Sequence, residues 1–80
     1  MGTQLATAVG KRIRKLRLGQ GYSQEEFAHL CNLHRTYIGG IERGERNITL
    51  KTLQTLATAL HVTPVDLLTS EKRRNVHQAP

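Results

Sequence analysis

The stretch Gly21-Tyr22-Ser23-Gln24-Glu25-Glu26-Phe27-Ala28-His29-Leu30-Cys31-Asn32-Leu33-His34-Arg35-Thr36-Tyr37-Ile38-Gly39-Gly40-Ile41-Glu42-Arg43-Gly44 reads as two short helices joined by a tight turn. Ser23 is a good N-cap. Glu26, three residues on, completes a capping box in which each side chain takes a backbone N–H of the other residue. Phe27, Leu30 and Cys31 are spaced to form the inner face of the first of these helices. Asn32 tolerates the left-handed backbone that a tight turn needs. The second helix runs from about Arg35 to Arg43, with Leu33, Ile38 and Ile41 as its docking residues and Gly44 as its stop. Ala28 falls where the two helices cross, and a larger side chain there would push them apart.

Three further helices flank this pair. Leu5, Val9, Ile13 and Leu16 recur at steps of four, four and three, which predicts an apolar stripe on a helix from about Leu5 to Arg17. Lys11, Arg12, Arg14, Lys15 and Arg17 crowd the rest of that helix, mostly as solvated charge, and Gly21 ends it in a left-handed turn. Thr49 caps a fourth helix whose Leu50, Leu53, Leu56, Ala57 and Leu60 share one face. Thr63-Pro64 starts a fifth, with proline at the first helical position and Asp66 near the positive end of the dipole. No segment alternates like a strand. The expected fold is all-α, five helices in one domain over residues 1–69, followed by a polar, frayed tail over 70–80 that carries Lys72-Arg73-Arg74. Only Tyr22, Phe27 and Tyr37 are aromatic, so the core is aliphatic.

Composition narrows the function. A chain of 80 residues holds one small core. Cys31 is its one cysteine, so no disulfide forms within the chain, and a lone thiol fits a reducing compartment. The sequence has no apolar run long enough to span a bilayer and no signal-peptide core. Met1-Gly2 lacks the Ser or Thr that myristoylation needs, since Ala6 stands there. A cytoplasmic protein is expected. The net charge of +6, from 12 Lys and Arg against 6 Asp and Glu, favours a polyanionic partner. His29, Cys31 and His34 do not match a zinc spacing and lack a fourth ligand. A thiol at a core position is inert, which removes a catalytic Cys–His pair. No metal, cofactor, small-molecule substrate or enzymatic activity is expected.

From Val9 to Leu68 the sequence resembles the Xre-type, lambda-repressor-like helix-turn-helix regulators, through Gly21 to Ala28 and Tyr37 to Gly44. The run Arg35 to Asn47 is most similar to the controller proteins of restriction–modification systems, which are homodimeric regulators that time endonuclease expression. It departs from them at His34, where Asp or Ser commonly caps the recognition helix. The resemblance implies that the third helix lies in the major groove of double-stranded DNA, with its N-terminal part against base edges.

On that geometry His34, Arg35, Thr36, Gly39 and Gly40 face outward, and His34, Arg35, Thr36 and Gly39 are the base-reading candidates. Arg35 leads them, because its fork matches guanine O6 and N7. Each helical glycine costs about 1 kcal/mol relative to alanine, which a close approach to DNA would repay. Gln24 at a helix N-terminus, Tyr37, Arg43, Arg46, Asn47 and Arg17 are the phosphate candidates. Glu42 is expected to pair with a basic neighbour. The fourth and fifth helices carry more apolar residues than one small core needs, so Leu60, Val62, Val65, Leu67 and Leu68 are expected to supply a two-fold interface. The leading expectation is a homodimeric, autoregulatory transcription regulator on a palindromic operator. A phage-type repressor or an antitoxin of the same fold, and an adaptor that has lost DNA binding, are the alternatives.

Overall fold

The computed structural model describes residues 3–69, and the expected basic tail lies outside them. Five helices follow in order: α1 (Gln4–Gly19), α2 (Gln24–Cys31), α3 (Arg35–Glu42), α4 (Leu50–Ala59) and α5 (Pro64–Leu68). Among the described residues there is no strand, and no helix is long and apolar enough to cross a membrane. Each helix begins on a side-chain cap. The hydroxyls of Thr3, Ser23, Thr49 and Thr63 accept the N–H of Ala6, Glu26, Thr52 and Asp66. The capping boxes of α2 and α5 are complete. His34 caps α3 through Nδ1, which accepts the Thr36 N–H at 3.1 Å, so imidazole does the work that Asp or Ser does elsewhere.

The first four helices also end alike. Gly21, Asn32, Gly44 and His61 take positive φ. In each case the next N–H reaches a carbonyl five residues back: Tyr22 to Arg17, Leu33 to Ala28, Glu45 to Gly40 and Val62 to Ala57. α1 runs to Gly19, two residues beyond the expected Arg17, and Gly21 takes the left-handed turn expected of it. His61 was not foreseen in this conformation, which favours glycine.

Val9, Ile13, Phe27, Ala28, Cys31, Ile38, Ile41, Leu53, Leu56, Ala57, Leu60 and Leu67 form one core, with Phe27 the only buried aromatic ring. Three residues expected inside lie outside. Leu30 sits about 110° round α2 from the face that Phe27, Ala28 and Cys31 share, and is exposed. Leu5 and Leu50 occupy the opening turns of α1 and α4, beyond the edge of the core, and with Leu68 they border an open apolar groove.

α1 crosses α3 at two glycines. A β-carbon at Gly10 would overlap the Ile41 carbonyl oxygen and lie 2.8 Å from that of Glu42. One at Gly44 would lie 2.8 Å from Thr7 Cα. Beside this crossing, Arg17 and Glu42 are 4% and 7% exposed. Arg17 Nε donates to Glu42 Oε2 at 2.6 Å and Nη2 donates to Oε1 at 2.9 Å. The remaining arginine nitrogen, Nη1, donates to the Tyr22 carbonyl at 2.7 Å. One ion pair thus ties α1, the turn before α2 and the end of α3. Two side-chain bonds close the other side: Gln20 donates to the Leu60 carbonyl, and Arg12 to that of Asp66.

Two stability tests follow. Gly10→Ala raises helix propensity by about 1 kcal/mol but drives a methyl into backbone, at a cost of about 3 kcal/mol. The expected net result is a Tm lower by about 10 °C; an unchanged or higher Tm would show that the helices do not cross this closely. Arg17→Met alone should lose about 3–5 kcal/mol, because Glu42 is left buried without its partner. Arg17→Met combined with Glu42→Leu should lose less than Arg17→Met, by urea denaturation. Losses that simply add would mean the two groups are not a coupled buried pair.

Candidate nucleic-acid interface

The bridge sets the relation between α2 and α3. Glu42 Oε1 accepts from Arg17 Nη2 and also from Gln24 Nε2 at 3.1 Å. Gln24 is the first residue of α2, and Glu42 the last of α3, so one carboxylate braces both ends of the pair. Gln24 is half-buried and its amide is oriented before any ligand arrives. Ser23 Oγ takes the Glu26 N–H, and hydrogen bonds from the Ser23 backbone and hydroxyl hold the Glu26 carboxyl below its ordinary range.

α3 presents His34, Arg35 and Thr36 to solvent in its opening turn, with Tyr37 half-buried behind them. Among the described residues no acid pairs with Arg35, whose guanidinium is exposed. His34 Nδ1 is committed to the cap, which leaves the other ring nitrogen for a ligand. At the far end of α3 stand Arg43, Arg46 and Asn47, all exposed. Arg43 Nε pairs with Glu45 at 3.1 Å, with both side chains 59% exposed. Exposed pairs are worth about 0–1 kcal/mol, so a phosphate can replace Glu45 at small cost. Arg46 lies 5.7 Å from the Tyr37 ring centroid. The surface from Gln24 across α3 to Asn47 is therefore a strip of donors and cations on a rigid support.

Several expected residues are placed elsewhere. Arg17 does not face this strip: it is buried, and all three of its guanidinium nitrogens are bonded. Its role as a phosphate ligand is corrected to that of an internal strut, and it is the basic neighbour of Glu42. Gly39 and Gly40 are buried beneath side chains of the strip rather than open to a duplex. A β-carbon at Gly39 would meet Arg43 Nη1 at 3.1 Å and Gln24 Oε1 at 3.6 Å. Of the expected interface residues, Leu60 and Leu67 are core, at 0% and 2% exposed, because α5 packs against both α1 and α4. Val62 is half-buried, and Val65 and Leu68 are exposed. The spacing of apolar residues carries no sign of which leucine of a pair faces in, and only the docking of α5 shows it.

Cys31 is buried, and desolvation pushes its thiol up to about 11, so it is protonated at neutral pH. Among the described residues no group of three His, Cys, Asp or Glu is placed to hold a metal.

Residues 13–67 match the helix-turn-helix family model. The control protein C.BamHI of Bacillus amyloliquefaciens is 44% identical over 69 residues, covering 85% of each chain. The crystal structure of the restriction–modification controller protein C.AhdI from Aeromonas hydrophila superposes with a TM-score of 0.75 at 47% identity, over 78% of this chain and 94% of that one. The controller protein C.Esp1396I, solved as a tetramer in complex with its natural 35 base-pair operator, superposes with a TM-score of 0.74 at 43% identity, over 81% of this chain and 86% of that one. With the capped α2–turn–α3 pair, the braced Gln24 and these likenesses together, the chain belongs to the Xre-type helix-turn-helix family, the family of the restriction–modification control proteins.

Proposed function

We propose that the protein is a sequence-specific DNA-binding transcription regulator of the controller kind, acting as a homodimer on a two-fold symmetric operator that includes DNA upstream of its own gene. It is a regulator and not an enzyme. The observation that carries this reading is the exposed, unpaired Arg35 in the opening turn of α3, with the Gln24 amide and the Arg43 tip side by side at Gly39 and Arg46 over Gly40 farther along the same helix. Side chains in that turn reach base edges when the helix enters a major groove, whereas those at its far end lie near the strand backbone. Arg35 reads guanine, with Thr36 and His34 beside it. Gln24, Tyr37, Arg43, Arg46 and Asn47 hold phosphates and fix the register. The +6 charge supports the same partner. The controller proteins of like fold, one of them bound to its operator, support the role.

The two-fold interface is drawn on Val62, Val65 and Leu68, since Leu60 and Leu67 are spent on the core. Sedimentation should give a dimer at micromolar concentration. Val65→Asp should give a folded monomer, because Val65 is 65% exposed and contributes little to the fold. A folded Val65→Asp dimer as stable as the wild type would place the interface elsewhere.

Base reading is tested with every base pair of one half-site substituted in turn. The wild type should penalise changes at one or two guanines by about 1–3 kcal/mol each, and Arg35→Ala should be indifferent at those positions while melting as the wild type does. Uniformly weaker binding by Arg35→Ala would make Arg35 a phosphate ligand. Six to ten phosphate contacts per dimer should remove about three to five decades of affinity between about 50 and 200 mM salt, and a flat salt response would contradict the strip of cations as the binding surface.

A further inference from the structure

Gly40 is buried, and the three atoms nearest to a β-carbon built there all belong to Arg46. A β-carbon built at Gly40 would lie 3.0 Å from Arg46 Cγ, 3.2 Å from Nε and 3.6 Å from Cδ. The stem of the arginine therefore rests against the bare backbone of α3. Tyr37 lies three residues earlier, on the same face of the helix, and its ring centroid is 5.7 Å from the Arg46 guanidinium carbon. Backbone and ring together form a seat for one long side chain. Arg46 belongs to the segment between α3 and α4, where no helix restricts its rotamers, and among the described residues no carboxylate holds it. A flexible cation is thus kept in one lie by two contacts, and a side chain at residue 40 would push against one of them at 3.0 Å, so that the arginine must shift.

We propose that Gly40 is a positioning residue for DNA binding: it seats Arg46 against Tyr37 so that the guanidinium stands ready for a backbone phosphate. This rests on the DNA-binding reading above and deepens it. Immobilising a side chain in advance removes an ordering cost from the binding step. It also explains why a helix keeps a residue that weakens it. Gly39 differs in kind. A methyl there meets the tip of Arg43, which can swing aside, whereas a methyl at Gly40 meets Arg46 near its root, and a shift at Cγ and Cδ is levered outward to the guanidinium.

The test compares wild type, Gly40→Ala, Arg46→Ala, the double variant and Arg46→Lys. Three readouts are used. Thermal melting reports the fold. The proton spectrum of the protein without DNA reports the upfield ring-current shift that Tyr37 imposes on the Arg46 side chain. Affinity is measured for a duplex from upstream of the protein's own gene and for a scrambled duplex. Gly40→Ala should melt at or above the wild-type temperature, lose the upfield shift, and bind both duplexes about two- to tenfold more weakly. Arg46→Ala should bind about tenfold more weakly, and the double variant no more weakly than Arg46→Ala. Arg46→Lys keeps the charge and leaves residue 40 alone; it should lose the shift and part of the affinity. Wild-type affinity in Gly40→Ala, losses that multiply in the double variant, or a lysine that binds as well as arginine would each overturn the seat. If the wild type binds neither duplex, the DNA-binding reading fails, and the ring-current comparison alone then judges whether Gly40 holds Arg46.

Discussion

The buried ion pair between Arg17 and Glu42 is the constraint on which the rest of the arrangement depends. Two charges removed from water are tolerable only when every donor and acceptor is matched. Here the guanidinium gives two bonds to the carboxylate and one to the Tyr22 carbonyl, while the carboxylate takes a further bond from Gln24. The bonds reach α1, the loop before α2, α2 itself and α3. No apolar contact could specify the mutual placement of four segments so narrowly, because apolar packing lacks direction. The pair therefore acts less as a source of stability than as a gauge that sets α3 against α2.

Around that gauge the molecule separates what is fixed from what is offered. Gly10 and Gly44 let α1 close on α3 with backbone nearly touching backbone, and the aliphatic core fills the opposite side. The outer strip is made of long side chains, but several are held. Gln24 is braced by Glu42, Arg46 by Tyr37 and the surface of Gly40, and Arg43 more loosely by its exposed pair with Glu45. Arg35 alone among these cations stands without a restraint, at the helix end nearest the groove floor in the proposed docking. Held groups suit phosphates, whose positions vary little from one duplex to another. A base edge asks for fine adjustment, and a freer side chain can supply it.

The apolar surface follows the same economy. α5 is a single short helix, yet it buries Leu67 completely and leaves Val65 and Leu68 outside. A helix this short cannot be stable alone. It is held by its capping box, by the Leu67 contact and by the bond from Arg12 to the Asp66 carbonyl. Its outer residues are exposed, as the proposed two-fold interface requires.

Much of this was legible in the sequence, for reasons that are local. Ser23 with Glu26, Thr49, and Thr63 with Pro64 act within one turn of chain, and so do the left-handed positions Gly21, Asn32 and Gly44; each could be read without knowing what lay across the molecule. The motif from Gly21 to Gly44 also determined the family. What the sequence could not determine is which of two equivalent residues faces inward, because that depends on partners distant along the chain. Arg17 looks like any other cation of α1 until Glu42, 25 residues on, is folded against it. Leu60 and Leu67 look like Val65 and Leu68 until α5 docks. Gly10 looks like a flaw in a helix until the Ile41 carbonyl arrives where its side chain would have been. Burial, charge pairing and close approach are properties of pairs of segments, and only the tertiary structure brings the pairs together.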